Sequence, residues 1–250
     1  MSVSGHPCFS LGGKSIAVIG ASGGIGSACG SAVAALGANV VASGRDRARL
    51  EVFGGLVPDA RLVVLDLENL AMCKRELAGW PELDGLVVAS GINAIKPLRA
   101  QSEEEFQRVM RVNFEAPAFL VRELLRLRKF RDGASLVFVG SIAGRVGAAG
   151  HVAYSASKAA LAGMVRSLAL EVASRKIRVN TISPGLVETE MAADLRRVLT
   201  PEQAMRYADS YPLGVGSPAD VAGAVCFLLS PASRWITGTD LVVDGGNTHA

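Results

Sequence analysis

A short apolar segment that runs directly into a glycine-rich turn is the feature that most constrains how this chain folds. Residues 15–20, SIAVIG, are mostly apolar and end in glycine, which indicates a buried strand. The turn GASGGIG, residues 20–26, follows at once, and small and apolar residues then recur at helical spacing over residues 25–36. Glycines let a chain turn sharply and bring backbone N–H groups close to an anion, and the N-terminus of the following helix attracts a phosphate. The segment therefore predicts a strand–turn–helix unit that binds the phosphates of a dinucleotide.

Strands and helices alternate over the rest of the chain. The segments with the composition of buried strands are residues 39–43, 61–66, 85–91, 134–141, 177–183 and 239–246. Helical patterns cover residues 25–36, 69–78, 102–110, 114–128 and 154–174, and a further helix follows Asp46. This alternation predicts an α/β fold and, because no repeat or linker interrupts it, one domain over residues 1–250.

A polar stretch between residues 190 and 212 departs from this alternation. It has partly helical patterns and is expected where the carboxyl ends of the strands gather. Insertions at that place often close over a bound substrate. We therefore expect a substrate lid at residues 190–212. The alternative is a surface insertion that plays no part in substrate binding.

Composition excludes several classes of protein. The 250 residues are 50% hydrophobic, enough to bury a sizeable core, and 26 basic and 23 acidic residues give a net charge of only +3. That balance argues against nucleic acid or a membrane as a partner, and no apolar run reaches the length of a membrane span. The N-terminal residues lack the charged start and apolar stretch of a signal peptide. These features predict a cytoplasmic enzyme or binding protein.

The four cysteines give no sign of a metal centre. Cys8, Cys29, Cys73 and Cys226 show no CxxC spacing and no clustered histidines. The pattern indicates reduced thiols or core residues, so neither a metal site nor a disulfide framework is expected.

The end of the second predicted strand carries the residues that distinguish NADP from NAD. This strand end meets the adenosine ribose in dinucleotide-binding folds, and a carboxylate there would accept bonds from the ribose hydroxyls of NAD. Gly44 occupies that place, and Arg45 can form a bidentate contact with a 2′-phosphate, so NADP(H) is favoured while NAD(H) stays open. Asp46 is expected to cap the next helix, but it could also turn back to the ribose. Asp66, at the end of the third strand, could bond the adenine amino group or cap the helix at 69–78.

A tyrosine and a lysine four residues apart, in YSASK at residues 154–158, share one face of a predicted helix. A phenol with a pKa near ~10 is a poor acid or base at neutral pH, but a fixed ammonium beside it favours the phenolate and lowers that pKa. Tyr154 and Lys158 could therefore exchange a proton with an alcohol or carbonyl oxygen. Taken alone the pattern is short, and an ordinary helix face with a half-buried tyrosine is the alternative.

Jointly, the motifs resemble those of the classical short-chain dehydrogenase/reductase family. The resemblance covers nearly the whole chain and includes GASGGIG, Asn113, Ser141, YSASK and SPGLVET at residues 183–189. Ser141 lies 13 residues before Tyr154, and Asn113 lies 28 residues before Ser141, as the family has them. The resemblance implies a single Rossmann-type, doubly wound domain with a seven-stranded parallel sheet, helices on both faces and, usually, assembly as a homotetramer.

The resemblance also implies a role for each of four catalytic residues. Tyr154 would be the general acid in ketone reduction and the general base in alcohol oxidation. Lys158 would lower the pKa of that tyrosine and hold the nicotinamide ribose, and Ser141 would bond the substrate oxygen. Asn113 would support a water that links Lys158 to solvent.

For the cofactor, the resemblance implies that Pro184 and Gly185 shape the nicotinamide pocket and that Thr189 holds the carboxamide. Together with the strand-end residues, the set assigned to the cofactor is Gly20, Ser22, Gly24, Ile25, Gly26, Gly44, Arg45, Asp66, Leu67, Ala89, Gly91, Tyr154, Lys158, Pro184, Gly185, Val187 and Thr189.

Two positions depart from the pattern of the family. The family usually has Asn-Ala-Gly after the fourth strand, where this chain has Ala89, Ser90 and Gly91. Ala89 cannot form the side-chain bonds of the asparagine, and Ser90 could replace some of them. Gly23 stands where NADP-preferring relatives often carry a basic residue, which leaves Arg45 as the main reason to favour NADP.

The sequence leaves the substrate open. Length and layout are similar to those of 3-oxoacyl-carrier-protein reductases, which implies a 3-oxoacyl thioester, whereas sugars, cyclic alcohols and other small secondary alcohols are alternatives. Four basic residues, Arg128, Lys129, Arg131 and Arg175, could receive an acidic carrier protein, although solvated charges at helix ends are the slightly favoured interpretation. The residues expected to line the substrate pocket are Ile92, Asn93, Val146, Gly147, His151 and Met191.

A different class of function is a nucleotide-binding regulatory protein that kept the fold and lost turnover. Such a protein has no need of the complete set of four catalytic residues, so an enzyme is favoured.

Subunit contacts are expected at two places. The predicted helix at 154–174 carries small residues on one face, which permit close packing, and these are Ala156, Ala159, Ala160 and Gly163. We expect this face and residues 244–250 to lie between subunits of the homotetramer.

Overall fold

A parallel β-sheet forms the centre of the structure, a computed structural model that describes residues 7–249 but not the side chains of residues 7 and 70–72. Residues 1–6 and Ala250, which belong to the predicted domain and to the predicted C-terminal contact, lie outside the described residues. The strands are β1 Ser15–Ile19, β2 Asn39–Gly44, β3 Arg61–Val64, β4 Leu83–Val88, β5 Phe130–Val139, β6 Arg178–Pro184 and β7 Asp240–Val243. They form one seven-stranded sheet in the order β3-β2-β1-β4-β5-β6-β7, which confirms the predicted fold class.

Helices cover both faces of the sheet. Their bounds are α1 Gly24–Ala35, α2 Arg47–Leu56, α3 Leu70–Ala78, α4 Glu103–Met110, α5 Ala116–Arg126, α6 Val152–Glu171, α7 Glu190–Val198, α8 Pro201–Asp209 and α9 Pro218–Leu229. Side-chain caps set several of the starts, because an oxygen there accepts from a backbone N–H that the helix leaves unpaired. Asp46 accepts from Arg49 N at the start of α2, and Ser102 forms a capping box with Glu105 at the start of α4.

Alternate side chains of the strands enter two separate hydrophobic layers. Ala17 and Ile19 of β1 pack into the layer that contains α5 and α6, whereas Ile16 and Val18 pack into the layer that contains α1 and α9. This alternation follows from the two-residue period of a strand, and burial on both faces explains why β1 is apolar after its first residue.

The strand order reverses beside β1, which pairs in parallel with β2 on one side and with β4 on the other. Connections leave β1 and β4 in opposite directions at this point, so a crevice opens at the carboxyl ends of the strands, where open α/β sheets bind their ligands. The site described below lies at this crevice.

Several boundaries differ from the predicted ones. β4 ends at Val88 rather than at the glycine three residues later, and β5 begins at Phe130 rather than at residue 134. Asn113 does not separate two helices, because a π-helical turn at Arg111–Glu115 joins α4 to α5 without a break. Such turns arise from tertiary constraints on single residues, and the helical periodicity of a sequence does not reveal them.

Among the described residues, no helix is both long enough and apolar enough to cross a membrane. That part of the chain also holds no group of three or more histidine, cysteine or acidic residues placed to bind a metal ion.

A pair of helix-interior glycines tests the packing of the layer that contains α1. A Cβ built on Gly30 would lie 2.6 Å from the ring of Phe53, which is 1% exposed, whereas a Cβ on Gly223 in α9 meets nothing within 4 Å. Both changes to alanine improve helix propensity by about 1 kcal/mol, but overpacking a core costs about 1–3 kcal/mol. We expect Gly223→Ala to raise the free energy of unfolding and Gly30→Ala to lower it, as measured by urea denaturation. Equal stability of the two variants would contradict the packing described for this layer.

Candidate active site

A cleft runs along the carboxyl ends of the strands and has two parts that meet at Ala89 and Gly91. The nucleotide part is lined by Ile19, Gly20, Ser22, Gly23, Gly44, Arg45, Leu65, Leu67, Ser90, Ile92 and Val112. Predicted residues that line the catalytic part are Ile25, Asn93, Ser141, Val146, Gly147, His151, Tyr154, Lys158, Pro184, Gly185, Val187, Thr189 and Met191. Of the residues assigned to the cofactor, Gly24, Gly26 and Asp66 do not line either part.

The glycines of the first turn are required by close packing. A Cβ on Gly26 would lie 2.1 Å from the carbonyl oxygen of Gly20, and one on Gly24 would lie 2.9 Å from the methyl group of Thr189. Gly20 has a φ of +86° and its Cα lies against the backbone of Ser90, where a Cβ would approach to 2.8 Å. The turn therefore leaves open the concave surface at the start of α1 that a pyrophosphate needs, and it brings Thr189 against that surface.

The loop after β4 is held by an amide from another element. Asn113 Oδ1 accepts from Ile92 N at 2.8 Å, and Asn113 Nδ2 donates to Ile92 O at 2.9 Å. Ser90 does not replace the family's asparagine in this role, because its Oγ is buried and has no hydrogen-bond partner among the described residues. The backbone pairing by Asn113 explains how the loop keeps its shape with Ala89 and Ser90 in place of Asn-Ala.

Asn113 also reaches the catalytic helix. Its Nδ2 donates to Ser157 Oγ at 3.0 Å, and Ser157 Oγ donates to the carbonyl oxygen of Tyr154 at 2.7 Å. The side chain is fully buried, and both of its N–H donors are used. The predicted relay through a water supported by Asn113 stays a prediction.

Lys158 is a buried cation with a neutral partner. Its side chain is 5% exposed, and Nζ donates to the carbonyl oxygen of Val139 at 2.8 Å. Burial disfavours the charged form and lowers the pKa of Lys158 to about 8. The ammonium lies 5.7 Å from the centre of the Tyr154 ring.

The phenol of Tyr154 is held in its protonated form. Burial raises the pKa of Tyr154, the Ser141 hydroxyl partly offsets this as a hydrogen-bond partner, and Tyr207 adds to the rise. The lowering of this pKa by Lys158 that the sequence predicted is not observed. Burial is the largest cause of the shift at Tyr154, and burial also lowers the pKa of the neighbouring Lys158 to about 8.

Polar side chains form the wall beside Tyr154. Asn93 Nδ2 lies 3.3 Å from His151 Nδ1, and the His151 ring packs edge-on against the Tyr154 ring with 6.0 Å between centroids. Burial lowers the pKa of His151, so the imidazole is neutral at pH 7. Asn93 Oδ1 is buried without a partner among the described residues. Of the predicted pocket residues, Ile92 alone lines the nucleotide part instead.

The polar insertion at 190–212 covers the catalytic part. It consists of α7 and α8, and it contributes Met191, Ala192 and Leu195 from α7 and Tyr207 from α8 to the lining. Tyr207 was not among the predicted residues. It lies on a polar helix whose sequence gives no sign of which face turns inward, so only the packed structure identifies it. That the insertion acts as a substrate lid stays a prediction.

Arg45 lines the adenosine end of the cleft, whereas the carboxylates of Asp46 and Asp66 accept from nearby backbone N–H groups. The Asp46 carboxylate accepts from Arg49 N at 3.1 Å and thus caps α2, and the Asp66 carboxylate accepts from Glu68 N at 3.0 Å. Arg45 is 63% exposed and lies 3.7 Å from Glu68. A cation therefore remains at the strand end where the sequence predicted one.

The basic residues proposed for a carrier protein lie far from the cleft. Lys129 and Arg131 flank the amino end of β5, and β5 spans ten residues, or roughly 30 Å, before it reaches Ser141. Lys129 Nζ donates to the carbonyl oxygens of Ala78 and Trp80, at 2.9 and 2.6 Å. Arg131 pairs with Glu82 and Asp84, and Arg175 pairs with Asp132. These three residues are engaged with partners at the edge of the sheet opposite the cleft, rather than solvated at helix ends, and a carrier protein as a partner stays a prediction.

Comparison with known proteins agrees with this geometry. The family model described as enoyl-(acyl carrier protein) reductase matches residues 20–248. The 3-oxoacyl-[acyl-carrier-protein] reductase FabG of Rickettsia felis is 35% identical over 94% of this chain and 97% of its own length. This chain belongs to the short-chain dehydrogenase/reductase family. It is an oxidoreductase of that family, as the sequence predicted.

Other members act on different substrates. The galactitol 2-dehydrogenase (L-tagatose-forming) of Cereibacter sphaeroides is 35% identical over 96% of this chain and 97% of its own length. A crystal structure with bound NADP at low occupancy, from Beutenbergia cavernae, shows a protein provisionally designated an NAD(P)-dependent gluconate 5-dehydrogenase. It superposes with a TM-score of 0.89 and 34% identity over 97% of this chain and 100% of that one.

The buried charge of Lys158 leads to a prediction about stability. Its folded pKa of about 8 lies below the unfolded value of ~10.4, so the unfolded chain binds more protons between these values and stability rises with pH across that window. Below about pH 8 the buried ammonium costs about 2–3 kcal/mol. We expect Lys158→Met to raise the free energy of unfolding by about 1–3 kcal/mol at pH 7 in urea denaturation, and the gain to shrink at pH 10. A variant less stable than wild type at pH 7 would contradict this.

Proposed function

We propose that this oxidoreductase interconverts a carbonyl and a secondary alcohol with NADP(H), and that Tyr154 is the general acid in reduction and the general base in oxidation. The observation that carries the proposal is the protonated, half-buried phenol of Tyr154 in the cleft, with Ser141 as its hydrogen-bond partner. A phenol in that state can donate a proton to a carbonyl oxygen, which is what reduction requires.

Each neighbouring residue has a physical task in this reaction. Ser141 Oγ accepts from Ala143 N at 3.1 Å, which fixes the hydroxyl beside the place of the substrate oxygen. Lys158 lies against Gly91, where the two parts of the cleft meet, and is placed to hold the ribose on the nicotinamide side. The nicotinamide, when bound, supplies or accepts the hydride. Tyr154 supplies the matching proton, so a hydride and a proton together convert C=O into CH–OH.

NADP(H) fits the residues at the adenosine end. Gly44 offers no carboxylate that would repel a 2′-phosphate, and Arg45 offers a guanidinium that can bind one. The bound NADP of the Beutenbergia cavernae protein supports this choice. Gly24 and Gly26 act through the packing of the turn, and Asp66 does not line the cleft. The remaining residues assigned to the cofactor keep the roles proposed for them. NAD(H) is the alternative cofactor.

The exchange of Tyr154 for phenylalanine tests the catalytic role. It removes only the hydroxyl, so we expect carbonyl reduction to fall by about 10²–10⁴-fold while NADPH affinity stays nearly unchanged. Tyr207→Phe is the matched control and should have a much smaller effect, because this hydroxyl lies on the covering helix. Steady-state rates and fluorescence titration measure the two quantities. Turnover close to wild type in Tyr154→Phe would refute the assignment.

The direction of the pKa shift of Tyr154 also bears on the reaction. A raised pKa keeps the phenol protonated at neutral pH, which favours reduction. Oxidation needs the phenolate and is therefore favoured as the pH rises.

A 3-oxoacyl thioester is the first candidate substrate. The catalytic part of the cleft has an apolar side suited to an acyl chain, formed by Ile142, Val146, Leu186, Met191 and Leu195. The FabG relatives are 3-oxoacyl-[acyl-carrier-protein] reductases by name, which supports an acyl substrate. The basic residues considered for a carrier-protein contact lie at the edge of the sheet opposite the cleft, so they do not support such a contact beside Tyr154.

A hydroxylated substrate, such as a sugar, a polyol or a cyclic alcohol, is the second candidate. The Asn93–His151 pair next to Tyr154 favours it, because a buried amide oxygen without a partner can accept from a substrate hydroxyl. The galactitol 2-dehydrogenase relative acts on a polyol, according to its name.

A substrate panel with NADPH separates the candidates. Acetoacetyl thioester, a ketose and a cyclic ketone are compared in wild type and in Asn93→Leu. If the substrate is hydroxylated, we expect this change to lower kcat/KM by roughly tenfold or more, because it removes hydrogen bonds to the substrate. If the substrate is the thioester, its kcat/KM should be nearly unchanged. NADPH binding without turnover of any compound would instead favour the regulatory alternative.

We further propose a homotetramer in which α6 lies between subunits. The small-residue face of this helix is continuous with two exposed apolar residues, Val152 and Leu170, which are 42% and 80% exposed. Residues three or four apart along a helix share a face, so this stripe can pack closely against a second copy.

A further inference from the structure

A second arginine lies against the glycine-rich turn that lines the nucleotide part of the cleft. Arg49, in the first turn of α2, places Nη2 at 3.3 Å from the carbonyl oxygen of Ser22, in the glycine-rich turn. The same nitrogen lies 2.7 Å from Glu190 Oε2. Arg49 thus connects the turn that lines the nucleotide part with the first residue of α7.

Ser22 lies between Arg49 and the strand end that precedes Arg45. A Cβ built on Gly44 would lie 2.6 Å from Ser22 Oγ, so the Ser22 side chain packs directly over the strand end that precedes Arg45. Ser22, Gly44 and Arg45 all line the nucleotide part of the cleft. Arg49 is therefore connected, through Ser22, to the strand end where Arg45 lies and where the adenosine ribose is expected.

Each of these arginines is paired with a carboxylate from another element. Arg45 pairs with Glu68, but Glu68 forms its closer contacts with Arg108, at 3.0 and 3.3 Å. Arg49 pairs with Glu190, whose side chain is 76% exposed. Exposed pairs of this kind contribute little stability, so a phosphate with nearly two negative charges can replace the carboxylate.

We propose that Arg49 is a second cation for the 2′-phosphate of NADP(H), and that Glu190 competes with this phosphate for Arg49. The inference rests on the proposed use of NADP(H). A guanidinium carries five N–H donors in a planar fork, so Arg49 can keep its bond to Ser22 while it exchanges its carboxylate partner for a phosphate oxygen. Because Ser22 packs against Gly44, an acidic residue introduced at Gly44 would displace the Ser22 side chain. Substitutions of the arginines therefore test the 2′-phosphate site without this disturbance.

The first test measures cofactor affinity by fluorescence titration of NADPH and NADH. Losing one charge-assisted contact corresponds to about tenfold in affinity, so Arg49→Gln should weaken NADPH by about tenfold and change NADH by less than about twofold. Arg47→Gln is the matched control, since Arg47 lies on the same helix, is 77% exposed and pairs with Glu51. We expect this control to leave both affinities unchanged. Thermal unfolding of each variant verifies that it is folded.

The second test is a double-mutant cycle with Glu190. Glu190→Gln removes the competing carboxylate, so it should tighten NADPH by a few-fold and leave NADH unchanged. In the Arg49→Gln background the same change should have no effect, because the shared partner is gone. Equal effects of Glu190→Gln in both backgrounds, or weaker NADPH binding by Glu190→Gln alone, would overturn the competition.

The outcomes separate this inference from the proposed function. Wild-type protein that binds NADH more tightly than NADPH would refute the choice of NADP(H) and with it a 2′-phosphate site. Wild-type protein that prefers NADPH, together with an Arg49→Gln variant that keeps this preference, would overturn only the role of Arg49. An equal loss of NADPH affinity in Arg47→Gln would assign the effect to net charge and would also overturn that role.

Discussion

The hydrogen bonds of one buried amide hold the catalytic part of the cleft together. Asn113 pairs with both backbone groups of Ile92 and, through Ser157, with the backbone of the helix that carries Tyr154. These contacts join the loop after β4, the π-helical turn and α6, which are far apart in sequence. Because an unpaired buried backbone group costs free energy, the three segments keep one arrangement. The place of Gly91 against Lys158 follows from the same arrangement.

Burial then determines the charge state of the site. It lowers the pKa of Lys158 to about 8 and raises the pKa of Tyr154, so both groups are driven towards neutrality. The lysine is thus close to its titration range, while the tyrosine keeps its proton. Under the proposed mechanism, the general acid thus keeps its proton at neutral pH, and the buried ammonium of Lys158 lowers the stability of the fold.

The covering helices connect the two parts of the cleft. Thr189 caps α7 and contacts the glycine-rich turn, and the next residue, Glu190, pairs with Arg49 of α2. The far end of the insertion is fixed by Tyr211, whose hydroxyl accepts from Leu186 N at 3.0 Å. The insertion is therefore attached at both ends to elements that line the cleft, and Tyr207 stands between these attachments.

The sequence by itself determined the strand–turn–helix alternation and the glycine turn, because both follow from local periodicity. That Ser141, Tyr154 and Lys158 belong to one site was implied by the resemblance to the family. The sequence also determined that Asp46 caps α2, because a cap acts on residues three positions away.

The tertiary structure alone decided the direction in which the pKa of Tyr154 shifts and the presence of Tyr207 in the lining of the catalytic part. It also decided the pairing of Arg49 with Glu190, which lies 141 residues later in the chain. It also placed Lys129 and Arg131 at the edge of the sheet opposite the cleft. The hydrogen bonds that hold the loop after β4 come from Asn113 rather than from Ser90, which again only the tertiary structure shows. The physical reason is common to all of these. Burial and long-range contacts depend on which surfaces the folded sheet brings together, and no local pattern of residues carries that information.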